Sequence, residues 1–208
     1  MRWIEQFQEW HVDRLTDRRA RRPHGRRARR TYGADDAHAF LWEPVLDALA
    51  LEPHDRLLDV GCGGGAFLRH VGATVGCEAA GLDHSRQMVR LARSKQPGLR
   101  VVQADAAATP FADGEFTALS CLVAFFFFPQ PLAALREFRR LLDRERGRLA
   151  VMTTAPEAKG SEAAPYPIAT RGHFYTDDEL VGLARDAGLS SPRIAWREPW
   201  AQLLLASA

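Results

Sequence analysis

Hydrophobic spacing along the chain changes repeatedly, and it changes in one order. Trp3, Ile4, Phe7, Trp10 and Leu15 recur at helical intervals, predicting an amphipathic helix near the start. Phe40, Leu41, Trp42, Val45, Leu46 and Leu49 predict a second helix, stopped near Pro53. Arg56–Gly61 then reads as a buried strand, followed by a glycine-rich turn and a helix from Gly65 to Val71. Ala79–Asp83 reads as a second short strand, with Ser85 placed to cap a helix carrying Met88, Leu91 and Ala92 that ends before Pro97. Further strands are expected at Leu99–Gln103, Phe116–Val123 and Arg148–Thr153, with a helix marked by Leu132, Leu135, Phe138 and Leu142. Thr176-Asp-Asp-Glu179 is a capping-box sequence opening a helix that Gly188 ends. Ser191–Trp196 and Ala201–Ala206 read as a terminal pair of strands. Strands alternating with helices at this spacing predict a parallel, doubly wound α/β sheet.

Composition narrows this picture. At 208 residues the chain suits one domain, with 46% hydrophobic and 26% charged residues, the balance of a soluble globular chain. The apolar run Leu119–Phe128 is too short to span a bilayer, so no membrane role is expected. No apolar signal region follows Met1, and Cys62, Cys77 and Cys121 form neither a disulfide framework nor a zinc pattern. The expectation is a cytoplasmic protein without a metal site. Its net charge of +2 hides an asymmetry, because residues 1–34 hold ten Arg against four acids while the remainder is acidic. The division expected is therefore a basic arm over 1–34 and a single domain over 35–208. The Arg18–Arg30 run can be a solvated arm in a chain with 26 Arg and two Lys, or a patch for phosphates, nucleic acid or an acidic surface.

The chemistry is expected beyond the first strand, at Leu57-Leu-Asp-Val-Gly-Cys-Gly-Gly-Gly-Ala-Phe-Leu68. In doubly wound sheets ligands sit past the carboxyl ends of the strands. Gly61, Gly63 and Gly65 permit a tight turn and close approach, and the following helix N-terminus favours a negative group. Asp83 ends the second strand 20 residues after Gly63, where a carboxylate can accept both hydroxyls of a ribose. Together these predict an adenosine-type cofactor. Gly61-x-Gly63-x-x-Ala66 also satisfies a dinucleotide fingerprint, which keeps an NAD(P)-binding protein as an alternative. Against it, Asp59 lies where a pyrophosphate would sit and suits an ammonium group instead. Asp105, after the third strand, can accept from an adenine amino group, and little chain is left for a substrate domain.

With these residues in view, the sequence resembles the class I S-adenosylmethionine-dependent methyltransferases, in particular the compact methyltransferase-11/25-like kind whose first motif reads (L/V)LDVGCGxG. The resemblance runs from about Tyr32 to the end. Leu57–Gly65 matches the glycine motif, Gly81–Ser85 with Met88 the second-strand acid motif, and Gln103–Ala106 the motif whose acid and next N–H hold adenine. Phe116–Pro131 and Leu132–Leu142 match the fourth strand and its helix. It implies a single-domain Rossmann-like fold with a seven-stranded, mostly parallel sheet and a terminal antiparallel strand. It also implies S-adenosyl-L-methionine as cofactor, with S-adenosyl-L-homocysteine as product. The cofactor-binding residues it implies are Tyr32, Asp59, Gly61, Cys62, Gly63, Gly65, Asp83, His84, Met88, Asp105, Ala106 and Cys121, with Tyr32 closing over the methionine end and Cys62 packing. Thr117 stands in place of a usual fourth-strand Asp, Arg146-Gly147 in place of Pro-Gly-Gly, and Phe125–Phe128 where histidines are frequent.

Attack on a sulfonium methyl neutralises charge, so a dry pocket suits it, and in-line placement supplies much of the catalysis without a covalent enzyme group. Phe126 and Phe127 are expected to wall the acceptor side and offer ring faces to the sulfonium, or else to serve as core. His173 and Tyr175 are the candidate catalytic residues, with His38 a further candidate base. The segment 155–175, long for a structureless connection, reads as a lid in which Pro156, Pro165 and Pro167 oppose helix and Gly160 and Gly172 act as hinges. The function expected is methyl transfer to an O, N or C atom of a small-molecule acceptor. Alternatives are an RNA methyltransferase using the Arg arm, an NAD(P)-binding protein, and a cofactor-binding regulator of a partner. Oligomeric state, monomer or homodimer, is left open.

Overall fold

The computed structural model describes residues 38–208 except 163 and 167. The expected N-terminal arm and helix, and Tyr32, lie outside the described residues. After a short 3-10 turn at Ala39–Leu41 come α1 (Trp42–Leu49), β1 (Arg56–Val60), α2 (Ala66–Thr74), β2 (Glu78–Asp83), α3 (Arg86–Lys95) and β3 (Arg100–Gln103). Then follow β4 (Ala118–Leu122), a 3-10 turn at Phe125–Phe127, α4 (Pro131–Leu141) and β5 (Arg148–Thr154). The chain finishes with α5 (Ile168–Arg171), α6 (Asp177–Asp186), β6 (Ser190–Glu198) and β7 (Ala201–Ser207). The seven strands form one sheet in the order β3-β2-β1-β4-β5-β7-β6. All neighbouring pairs from β3 to β5 are parallel, whereas β7 runs against both β5 and β6. The doubly wound expectation is met, with one refinement. The antiparallel strand is last in sequence but slots inside β6, leaving β6 on the edge.

Strand side chains alternate between two cores because successive residues point to opposite faces. Leu58, Val60, Leu82, Leu119, Leu149, Val151 and Leu204 pack under α4 and α6. Leu57, Ala118, Ala150, Met152 and Leu203 pack under α1, α2 and α3. Strands covered on both faces read as near-continuous apolar runs, as Leu149–Met152 does and as Leu57–Val60 does but for Asp59.

Local signals act where the sequence places them. Ser85 Oγ accepts from Met88 N–H at 3.4 Å, and Thr176 and Glu179 complete a reciprocal capping box on α6. Thr117 and Gly147 also acquire a physical reason. The Thr117 hydroxyl donates to Asp55 Oδ1 at 2.6 Å and accepts from Arg56 N–H at 2.9 Å, while Arg148 bonds Asp55 Oδ2 at 2.7 Å. Burial pushes the Asp55 carboxyl up, but the bonds from Thr117, the Glu52 amide and Arg148 outweigh it and hold the group below its ordinary value. This cluster ties β1, β4 and β5 at their amino ends. A Cβ on Gly147 would stand 2.3 Å from the Asp143 carbonyl oxygen, so only glycine fits there.

One expectation fails here. The 155–175 segment is not structureless: it holds a 3-10 turn at Pro156–Ala158, an isolated bridge between Lys159 and Ala164, and the one-turn α5. Pro156 begins its turn, a position where the missing N–H costs nothing.

Candidate functional site

The carboxyl ends of β1, β2 and β4 converge on the glycine turn. After Val60 the backbone reverses at Gly61, whose φ is +77°. A Cβ there would also lie 2.5 Å from Ala124 Cβ, so the turn presses directly on the chain leaving β4. Gly61 and Cys62 both donate backbone N–H bonds to the Leu82 carbonyl, at 2.7 and 3.0 Å, which docks the turn onto β2. Gly65, at φ +76°, is the N-cap of α2. Gly63 differs from both: no described atom lies within 4 Å of where its Cβ would be. Its face of the turn is open to a ligand, and its neighbours are closed by packing.

Asp83, at the end of β2, is tied to this turn. Gly63 N–H donates to its Oδ2 at 2.9 Å and Ser85 N–H to its Oδ1 at 2.7 Å. Each carboxylate oxygen keeps one acceptor site for a further donor. Burial pushes the Asp83 carboxyl above its usual range, opposed by the Ser85 amide, the neighbouring His84 and the Gly63 amide. His84 is exposed, its Nδ1 3.9 Å from Asp83 Oδ1. Asp105 is exposed with Oδ1 taken by Ala107 N–H at 2.9 Å, and Ala106 beside it is half-buried. His84, Asp105, Ala106 and Gly63 form the accessible set, around an Asp83 that is itself only 7% exposed.

Asp59, Cys62, Met88 and Cys121 are buried as well. Asp59 is 3% exposed, with Oδ1 accepting the Ser120 hydroxyl at 2.8 Å. Burial raises its carboxyl to about 7, the Ser120 bond pulling down and the Asp83 charge adding to the rise. The carboxylate expected to meet an ammonium directly is thus enclosed, because it sits within β1 on the face covered by α2. Cys62 is buried as expected of a packing residue, and its thiol is pushed well up, first by burial and then by Asp59 and Asp83. Met88 and Cys121 are almost wholly buried, so their side chains face the interior rather than a cleft. Gly81, which the sequence marks only as the start of the second-strand motif, explains the fit: a Cβ there would lie 2.7 Å from both Cys62 Sγ and Leu68 Cδ1. The sequence reading missed Ser120 and Ala124, since their roles arise only when β4 lies beside β1.

Where the acceptor side is expected, the 3-10 turn after β4 splits the phenylalanines. Phe125 and Phe126 are buried, Phe127 and Phe128 half-buried. Phe126 therefore backs the wall, and Phe127 presents a face, with ring centres 4.2 Å apart. Tyr175 corrects another expectation. Its ring packs on Phe125 at 5.6 Å, only 9% of the residue is exposed, and burial pushes its phenol up to about 12, the nearby Glu179 adding to this. The phenol is thus enclosed and neutral, set in the core rather than presented on an open face. His173 is exposed, its backbone N–H donating to the Phe126 carbonyl at 2.7 Å. His38 is exposed at the start of the first 3-10 turn. Arg197 on β6 fastens both ends of the 155–175 segment. Its Nη2 donates to the two Glu157 oxygens at 2.8 and 2.9 Å and its Nε to Asp177 Oδ1 at 2.9 Å. No helix among the described residues is long and apolar enough to cross a membrane.

Comparison with known proteins accords with this geometry. A family model described as a methyltransferase domain matches residues 58–151. The chain is 31% identical over 169 residues to a ubiquinone biosynthesis O-methyltransferase of Xanthomonas axonopodis pv. citri, covering 72% of this chain and 70% of that one. It is 35% identical over 148 residues to a demethylmenaquinone methyltransferase of Beutenbergia cavernae, covering 70% of this chain and 58% of the relative. It spans only 44% to 63% of the length of three such demethylmenaquinone enzymes. Among solved structures, a methyltransferase in complex with the Haloferax volcanii Trm112 activator matches with a TM-score of 0.71 at 24% identity, over 87% of this chain and 93% of that one. A SAM-dependent methyltransferase from Aquifex aeolicus also gives 0.71, at 20% identity, over 86% and 96%. At these identities the structural likeness speaks for the fold.

Proposed function

The chain belongs to the class I methyltransferase family, and on that premise we propose that it transfers a methyl group from S-adenosyl-L-methionine to a small-molecule acceptor. The observation that carries the reading is the open face of Gly63, bonded to Asp83 with acceptor sites to spare, and exposed Asp105 two residues past Gln103, the register partner of Asp83. That arrangement fits the cofactor. The two Asp83 oxygens would hold ribose hydroxyls, Asp105 and Ala106 the adenine edge, and Gly61 to Gly65 the backbone approach. When bound, the cofactor supplies a sulfonium methyl open to in-line attack. The chain's own contribution is placement and dryness: Phe127 and the buried Phe126 behind it exclude water from the acceptor side. His173, exposed and fixed through its backbone to the Phe126 carbonyl, is the candidate base beside the phenylalanine turn. Asp59 acts through the turn, as a buried carboxyl that accepts the Ser120 hydroxyl.

The small-molecule class is supported by the ubiquinone and menaquinone enzymes among its relatives. A nucleic-acid acceptor rests on the Arg18–Arg30 run, outside the described residues. The test is calorimetry with S-adenosyl-L-homocysteine and NADH on the wild type and on Asp83→Ala. Charge-assisted hydrogen bonds are each worth about 1.5–3 kcal/mol, so the variant should lose at least about tenfold in affinity. Asp83→Asn, which keeps one acceptor for the turn, controls for collapse of the loop. Preference for NADH, or an unchanged dissociation constant in folded Asp83→Ala, would overturn the reading.

A further inference from the structure

The acceptor side is walled by rings and ends in a charge. From Gly61 the contact passes to Ala124 and into the Phe125–Phe127 turn. The Phe126 ring centre lies 4.2 Å from that of Phe127 and 6.2 Å from that of Phe174, and Lys159 Nζ stands 5.9 Å from the Phe174 centre. Phe127 and Phe174 are half-buried, and Lys159 is exposed. Lys159 is one of two lysines in the whole chain, the other being Lys95 on α3. No carboxylate among the described residues pairs with it. Glu157, two residues earlier, and Asp177 are both engaged by Arg197. The other charges of the segment are Glu162, exposed, and Arg171, which has interactions of its own. A ring face holds an ammonium without neutralising it, so Lys159 keeps a full positive charge at the far end of an apolar wall.

Resting on the methyl-transfer reading, we propose that the acceptor is an amphiphile: an apolar aromatic or isoprenoid body lying along Phe127 and Phe174, with an anionic group paired to Lys159. The reacting atom sits at the Ala124 end and the anion at the Lys159 end. An uncharged acceptor would leave the ammonium unused. A hydrophilic one would leave half-buried Phe127 and Phe174 facing polar groups they cannot bond. A carboxylate, sulfate or phosphate on a ring or chain satisfies both ends at once.

The experiment uses two fluorescent probes with the same aromatic body, 8-anilinonaphthalene-1-sulfonate and the uncharged N-phenyl-1-naphthylamine. They are titrated into the full chain with and without S-adenosyl-L-homocysteine. Lys159→Glu should weaken the sulfonate about tenfold, the scale of reversing one exposed charge, and leave the uncharged probe and S-adenosyl-L-homocysteine unchanged. Phe174→Leu should weaken both probes. Raised salt should weaken the sulfonate alone. An unchanged sulfonate affinity in Lys159→Glu, or an equal loss for both probes, would overturn the proposal. If the wild type binds no S-adenosyl-L-homocysteine yet the sulfonate still depends on Lys159, the methyl-transfer reading fails while the anion site stands.

Discussion

Replacing Asp59 by Asn tests the electrostatics of the turn. Asp59 is enclosed within β1, and its carboxyl is raised from 3.8 to about 7. Each unit is worth 1.36 kcal/mol, so holding it ionised above pH 7 costs the fold about 4 kcal/mol. The sign follows from which state binds the proton. Between about pH 4 and 7 the unfolded chain has released it and the folded chain retains it, so stability falls as pH rises through that window. Below the window the group contributes no cost, and above it the cost is constant. Asn retains an oxygen to accept the Ser120 hydroxyl but adds an amide that needs a partner, a penalty of about 1–3 kcal/mol at every pH. The advantage of Asp59→Asn over wild type should therefore grow by about 2–3 kcal/mol from pH 5 to pH 8. Asp83, raised in the same direction, is present in both proteins and largely cancels. Asp55, held low, pulls wild type and variant alike the other way. Urea unfolding followed by circular dichroism at several pH values measures the difference. Parallel stability curves for the two proteins would refute the argument, because they would mean Asp59 is ionised in the fold without cost.

Gly81→Ala should destabilise by about 1–3 kcal/mol, since its Cβ meets Cys62 Sγ and Leu68 Cδ1 at 2.7 Å; thermal unfolding reads this, and Cys62→Ala in the same chain should restore part of the loss. Arg197→Ala should leave global stability within about 1 kcal/mol, as exposed ion pairs do, while tryptic cleavage after Lys159 and Arg171 speeds up several-fold. An unchanged cleavage rate would show that the bonds from His173 to Phe126 and from Gln202 to Tyr175 hold the segment by themselves.

The parts of this fold that local rules govern are legible in the chain. The capping serine at 85, the Thr176–Glu179 box, the apolar runs of β1 and β5 and the spacing of Asp83 from the glycines all depend on near neighbours or on a sheet covered on both sides. What stays hidden depends on contacts made only after strands cross over. Nothing near Gly81 in sequence reveals that Cys62 and Leu68 will close over it. Asp59 and Asp83 look alike as carboxylates near the ends of apolar strands, yet one is enclosed within β1 and the other bonds the turn. The Phe run carries no local sign of which rings face inward, because a 3-10 turn rather than a strand sets their directions. The proline-rich 155–175 segment misleads for a related reason: prolines that forbid a long helix still suit the first position of a short turn.

The two sheet edges carry a consequence for self-association. An exposed edge offers unpaired backbone groups on which another chain can grow, and long flat edges are the hazard. Here β3 has four residues, too short to template much. On the other side β6 is nine residues long but is broken by two register shifts, one flanking Pro192 and one before Trp196, and carries Arg193 and Arg197. Irregularities of that kind increase local twist, and proline removes a donor. Because β7 inserts itself between β5 and β6, the smooth and strongly apolar Leu203–Leu205 ladder is enclosed on both sides and never forms a border. The order of the last two strands thus hides an apolar stretch suited to fibril growth and leaves a kinked, charged one outside.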